Sequence, residues 1–575
     1  MLAQRRAKKE SYLDNNRLIL AIVVTMAVIF GYQQFLQWRY PSLYGPKAKH
    51  AGSATPEAAP SAAGAGPAGA SLAANAPAAG AGATTAATRA TAPGEIERSV
   101  TVETELYTAT LSSYGARLVS FRLKKYRQTG ERGSPDYELI RPGDRMPIGM
   151  VVGRGAATID DAGIDYTTTS PAQIKVSAGA PATVTFTAST ADGLRLEKSF
   201  SFAPAGYVFT VAARATTASG PPPDGVGLTM SQPLTELAGY RDYPEIQADV
   251  NGKALTELPK ALNKGVAPLN GAISYAGFGD RYFLAAFLPE RPLSGKLVMS
   301  VNGNQGDAQL IFSGVASATS RVFMGPKALE VLEAVDPSLS KAIDLGFWGI
   351  IALPFLRLLK LFYRVVPNYG IAIILLTVVV RLLTLPMSIK GQRSMMRMQR
   401  LQPQVTRLRE KFKDDSERLN REMVDLYKRN HVNPLGGCLP MVVQFPVFIG
   451  LYEALLNAVD LRHAPFVGWI QDLSAPDCLH IAGIPQIPMT TCHGIPVLVL
   501  LMTLSAFGQQ WLLPRQPDPS QQKMMMIMPL AFSLIFLSLP SGLSLYYFAS
   551  NLLGIAQQVV LNREFKQVVP EPATT

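Results

Sequence analysis

Six stretches of about 20 residues are almost unbroken runs of apolar side chains: 18–37, 370–389, 438–458, 494–513, 524–541 and 542–561. A helix rises 1.5 Å per residue, so such runs match the roughly 30 Å hydrocarbon core of a bilayer. Each is expected to be a transmembrane helix, the last two joined as a tight hairpin at Pro540-Ser541-Gly542. Between the first and second runs the period changes from helical to two. Over 95–332, "LVSFRL", "LRLEKSFSF" and "YVFTV" put Val119, Phe121, Leu123, Leu194, Leu196, Phe200, Phe202, Tyr207, Phe209 and Val211 on one side of short strands. Strands of this kind between Gly, Pro and Asp turns predict an all-β sandwich. The fold class is therefore a polytopic α-helical membrane protein with six transmembrane helices and a large all-β domain outside the bilayer.

The connecting segments have their own patterns. Residues 38–94 are mostly Ala, Gly, Pro, Ser and Thr, a composition that buries no core and reads as a flexible tether. In 333–369 the apolar run from Ile343 to Val366 is interrupted by Arg357, Lys360 and Arg364, spaced i, i+3, i+7. That predicts an amphipathic helix lying in the outer interface with its cations toward headgroups. Segment 390–437 reads as a helical hairpin. Its first arm carries Met398, Leu401, Val405, Leu408 and Phe412 on one face and Arg393, Arg397, Arg400, Arg407 and Lys411 on another. Residues 414–416, "DDS", supply the turn and N-cap of the second arm.

Charge sets the orientation. The net +12 collects in the N-terminal tail 1–17 and in 390–437, which holds twelve Lys/Arg against six Asp/Glu, whereas 459–493 has only Arg462 against three Asp. By the positive-inside rule both termini face the cytoplasm and the β-domain faces out. Bulky Tyr32, Phe35, Trp38 and Tyr40 after the first run suit an uncleaved signal anchor rather than a cleavage site. The basic parts fit a ribosome or an anionic lipid surface better than specific nucleic acid.

The apolar runs are not uniformly apolar. Thr377, Arg381, Thr384 and Ser388 recur at i, i+4, i+7, i+11 in the second, and Tyr547, Asn551, Gly554 and Gln558 repeat that spacing in the sixth. Gln444 lies in the third, and Gln509 and Gln510 in the fourth. An arginine cannot shed its proton, and holding it near a bilayer centre costs from about 3 to more than 10 kcal/mol. Such stripes belong against a hydrated cavity or another polar stripe, not lipid. Two roles stay open for Arg381: a charge facing a wet groove, or a pin bonded to carbonyls and hydroxyls of neighbouring helices. Either way these ten polar residues are the candidate site.

No enzyme motif is present. The Gly-Lys pairs at Gly252–Lys253 and Gly295–Lys296 are followed by Ala and Leu, so no phosphate loop forms, and all five histidines lie outside the apolar runs. Neither a cofactor nor a resident metal is expected. Cys478 and Cys492 share the outward-facing loop 459–493, and the residues leave open a disulfide, two free thiols, or a zinc site with His480 and His493. An anion or solute transporter using Arg381 is the alternative function, although no internal repeat supports it.

The segments "LTVVVRLLTLP", "LQPQVTRLREKF", "VNPLGGCLPMVVQFPVFIGLY", "LRHAPFVGWIQDLSAPD" and "PSGLSLYYFASNLLGIAQQ" together resemble the YidC/Oxa/Alb family of membrane-protein insertases. The resemblance implies five core helices around a hydrophilic groove containing Arg381, with Thr377 and Tyr547 linked to insertion and 390–437 as the cytoplasmic hairpin. It implies a periplasmic β-supersandwich and residence in a Gram-negative inner membrane. The implied partners are nascent membrane proteins, membrane lipids and the Sec translocon (SecYEG, SecDF), with the ribosome and the signal recognition particle receptor as further candidates. The tail "NREFKQVVPEPATT" lacks the long basic extension of ribosome-docking relatives.

Overall fold

The computed structural model describes residues 98–567 apart from short internal segments, the longest being 234–244, 258–268, 431–438, 487–491 and 514–518. The expected first crossing, the tether and Cys438 lie outside the described residues.

Eighteen strands lie between Ser99 and Pro326, inside the span the two-residue period marked. They form one sheet of five strands and one of thirteen. Tyr107 and Phe121 of the smaller sheet stack at 4.4 Å, and Phe121 reaches Phe209 of the larger one at 6.0 Å. Phe209 in turn packs on Phe202 at 5.1 Å. Fully buried side chains of this size contribute about 1.5–3 kcal/mol each, so this aromatic seam is a main fastening between the layers. At Asn251-Gly252 both residues take positive φ, 55° and 77°, the two-residue turn that matches strand twist and closes the hairpin of Glu245–Val250 with Lys253–Glu257.

The strand Leu194–Phe202 buries every second residue, and the period carries Lys198 inward with its apolar neighbours. The ammonium is completely buried. It pairs with Asp161 at 2.5 Å and donates to the carbonyls of Gly115, Ala116 and Ile148. Asp161 also takes a bond from Arg117, which pairs with Asp160 at 2.7 Å. Loss of hydration pushes the Lys198 ammonium down to about 8, against the pull of Asp161.

Nine helices follow among the described residues: α1 Leu329–Val335, α2 Gly349–Val365, α3 Tyr369–Arg400, α4 Gln402–Lys411, α5 Ser416–Arg429, α6 Leu439–Leu456, α7 Val497–Leu512, α8 Pro519–Phe536 and α9 Ser541–Gln567. Of these, α3 is the helix long and apolar enough to cross a bilayer by itself, while Val443–Leu456, Val497–Leu512 and Met525–Phe536 are shorter apolar helices. α2 buries Ala352, Leu356 and Leu359 and leaves Ile350, Leu361 and Val365 exposed. Its cations, however, meet acids rather than standing free toward headgroups. Arg357 pairs with Glu333 at 3.3 Å, Arg364 with Glu330 at 2.5 Å and Lys360 with Asp460 at 2.9 Å. Glu330 and Glu333 sit on α1, a short helix that reading α2 alone leaves out.

The second predicted crossing and the start of the hairpin's first arm are one continuous helix, α3. At 32 residues it spans about 48 Å, well beyond the hydrocarbon core. The arm then breaks at Leu401, where Pro403, which has no amide hydrogen to continue the ladder, stands in the first turn of α4. Asp415 caps α5, accepting from the Arg418 amide at 3.0 Å. Arg393, Arg397 and Arg400 are exposed on α3, while Arg407 and Lys411 line a cavity of 260 Å³ between the arms.

The loop after α6 covers the ends of the helices at which α3 and α9 begin. A side chain at Gly370 would collide with the Phe466 ring, 2.0 Å away, so α3 starts directly beneath that residue. Ser541 and Gly542, opening α9, donate to the carbonyls of Ala475 and Leu473 at 2.7 and 2.9 Å. Asp477 is buried and caps α7, accepting from the Leu498 and Val499 amides at 2.5 and 3.2 Å and from the Trp469 indole at 2.9 Å. Burial pushes its carboxyl up, and those three donors oppose the shift. Next to it Cys478 and Cys492 are joined as a disulfide with Cα atoms 5.5 Å apart. Their sulfurs are then not thiolate ligands, and no group of three metal-binding side chains occurs among the described residues. Arg462 of this loop ties it to the β-domain, donating to the carbonyls of Arg127 and Gln128 at 2.7 and 3.0 Å and lying over the Tyr137 ring.

Candidate functional site

Arg381 sits halfway along the apolar part of α3, half-buried, with its guanidinium directed at α9. Nε donates to Ser550 Oγ at 2.8 Å and Nη2 to the Ser550 carbonyl at 2.6 Å. Both acceptors are neutral, and among the described residues Arg381 forms no ion pair. α7 joins at the same level. A Cβ placed on Gly554 would lie 2.4 Å from Gln509 Nε2 and 3.2 Å from Arg381 Nη2. The missing side chain at Gly554 thus leaves the space in which an arginine of α3 and an amide of α7 converge on α9.

α6 closes the group from another side, with Gln444 Nε2 donating to the Tyr546 hydroxyl at 2.9 Å. Toward the end of α3 that leads into α4, Gln557 Nε2 donates to Ser388 Oγ at 3.0 Å and Gln392 Oε1 at 3.1 Å. The polar side chains on this face are neutral apart from the one guanidinium. Such a surface carries one fixed positive charge and can offer donors and acceptors to a passing polypeptide.

The predicted site residues divide. Arg381, Ser388, Gln444 and Gln509 enter the group. Thr384 is half-buried one turn inward of Arg381, its hydroxyl donating to the Val380 carbonyl at 3.0 Å. Thr377 is fully buried and donates to the Ile373 carbonyl of its own helix at 2.7 Å. Gln510 follows Gln509, so it is turned about 100° around α7, away from Gly554. Tyr547 packs edge-on against Phe536 and Phe448 at 5.0 and 5.6 Å. Asn551 donates to α7, at Met502 O and Ser505 Oγ, and Gln558 is fully buried against Asn562.

Tyr546, Ser550 and Gln557, which the sequence reading passed over, take the facing positions instead. They repeat i, i+4, i+11, the spacing of the chosen stripe shifted by one residue. The signal was present in "SLYYFASNLLGIAQQ", where two polar stripes run side by side and spacing alone does not say which faces α3.

Two family models match the chain: the 60Kd inner membrane protein over residues 361–568 and the YidC periplasmic domain over residues 99–358. The chain is 36% identical over 489 residues to the membrane protein insertase YidC of Syntrophus aciditrophicus, covering 82% of this chain and 86% of that one. It is 35% identical over 572 residues to the membrane protein insertase YidC of Maridesulfovibrio salexigens, covering 96% and 100%. A crystal structure of active YidC insertase with its first transmembrane domain resolved is similar at 17% identity and a TM-score of 0.35, over 80% of this chain and 92% of that one.

Proposed function

The chain belongs to the YidC family of membrane protein insertases, and from that premise we propose that it inserts newly made proteins into the bacterial inner membrane through a hydrated groove formed by α3, α6, α7 and α9. The observation that carries the mechanism is the environment of Arg381: a fixed charge, half-buried, bonded to the neutral hydroxyl and carbonyl of Ser550. Because no carboxylate among the described residues neutralises it, its field acts on whatever comes near it. A client must move a short polar segment outward while its apolar helix enters lipid. A wet groove shortens the dry distance, Arg381 attracts acidic groups on the way, and the apolar segment partitions sideways with a gain of roughly 25 cal/mol per Å² of apolar surface buried. Nucleotide hydrolysis has no part in these steps.

The finer topology belongs to the same proposal. Six crossings follow from the six apolar runs, cytoplasmic termini and a periplasmic β-domain follow from the distribution of Lys and Arg, and the loop covering the outer ends of α3 and α9 is the outer seal. The proposed partners are nascent membrane proteins, and, for the basic hairpin, the Sec translocon, ribosome or signal recognition particle receptor. The transporter alternative has no support among the relatives, which are named insertases. The test is Arg381→Ala in reconstituted vesicles, with clients whose translocated tails are acidic or neutral. The acidic-tailed client should lose more insertion. Equal loss for both would remove the electrostatic role.

A further inference from the structure

Gln557 stands apart from the rest of the α9 face because its amide bonds two side chains of α3 at once. Nε2 is 3.0 Å from Ser388 Oγ and 3.1 Å from Gln392 Oε1, acceptors one helical turn apart. Gln392 is buried, and Ser388 and Gln557 are half-buried. Thr384 and Arg381 follow outward on α3, one and two turns beyond Ser388. A polar segment moving from the hairpin side toward Arg381 therefore meets this bridge first. Hydrogen bonds between membrane helices are individually weak, because other polar groups can take over either partner. A peptide backbone brings donors and acceptors in abundance, and can replace both contacts without leaving a group unpaired.

We propose that Gln557 is the inner latch of the groove. Its amide holds α9 to α3 across the cytoplasmic mouth and exchanges Ser388 and Gln392 for the backbone of an entering hydrophilic segment. It acts by positioning the two helices. The inference rests on the groove reading above, so its test separates the two. The full chain carrying Cys438→Ser is placed in nanodiscs, where both faces are open to reagent, and a single Thr384→Cys is labelled with a charged maleimide. A second series carries Ile470→Cys, at a buried position in the outer loop, to report general loosening.

Replacing Gln557 by Leu should speed labelling at Thr384→Cys roughly fivefold to tenfold, the effect of two weak interhelical bonds. Gln557→Asn, one methylene short, should fall between, and Ile470→Cys should not change. Equal Thr384→Cys rates with Gln and Leu at 557 would overturn the latch and leave the groove standing. A parallel rise at Ile470→Cys would make Gln557 a structural residue and also overturn it. No labelling at Thr384→Cys in any background would sink the groove reading, and the latch with it. If Gln557→Leu does not fold, Ser388→Ala and Gln392→Leu remove one acceptor each and carry the same comparison.

Discussion

Ser550→Ala separates the two roles open to Arg381. The substitution deletes the hydroxyl that accepts from Nε at 2.8 Å and leaves the backbone carbonyl that accepts from Nη2 at 2.6 Å. Interhelical side-chain bonds in membranes average about 0.6 kcal/mol, so the variant should change an insertion rate by roughly threefold if the bond matters. The electrostatic role is larger. A client carboxylate about 5 Å from the guanidinium gains about 3 kcal/mol at an effective dielectric of 20, and about half that in a wetter groove. Half of it is still about tenfold in rate. In vesicles, protease protection of a single-span client over time gives the initial rate. Arg381→Ala should slow the acidic-tailed client about tenfold and the neutral one much less. Ser550→Ala should leave both within about threefold of the parent, and Ser550→Ala added to Arg381→Ala should change nothing more. If Ser550→Ala reproduces the whole Arg381→Ala defect with both clients, the arginine is a pin between α3 and α9 and the attraction plays no part.

Two further outcomes concern the β-domain and the loop after α6. The Lys198 ammonium is held near 8 in the folded β-domain against about 10.4 in an unfolded chain, so between those values the unfolded state binds more protons and this group adds stability as pH rises. Pulse proteolysis of the full chain from pH 8 to 10 should show β-domain resistance rising more in the parent than in Lys198→Met; equal slopes would refute the assignment. Asp477→Ala removes the cap of α7 and the partner of the Trp469 indole, costing about 3 kcal/mol in sum, and Asp477→Asn should cost less because its amide oxygen still accepts. An unchanged melting temperature in detergent, followed by tryptophan fluorescence, would show that α7 does not depend on this cap.

Periodicity located the elements well and their facing poorly, for a physical reason. Period two marked the β-domain and even the inward side of Leu194–Phe202, but a lysine on that side was passed over. The charges that make Lys198 tolerable, Asp161 and the carbonyls of Gly115, Ala116 and Ile148, come from other strands and turns, so nothing local announces them. The same holds for α2, whose cations pair with Glu330 and Glu333 across a turn. The site shows it most clearly. On α3 one polar stripe runs through otherwise apolar sequence and includes Arg381, so its face could be read directly, although Thr377 on that stripe turns back on its own helix. On α9 polar residues occupy adjacent positions, Tyr546 with Tyr547, Ser550 with Asn551, Gln557 with Gln558. Each member of a pair is a plausible groove residue, and they differ by about 100° of rotation. What resolves the phase is long-range: Asn551 is claimed by Ser505 of α7 and Tyr547 by Phe448 and Phe536. That leaves Ser550 for Arg381 and Gln557 for Ser388. A helix with two polar faces satisfies two neighbours, and only the packing of α6, α7 and α8 against it decides which face is left for α3.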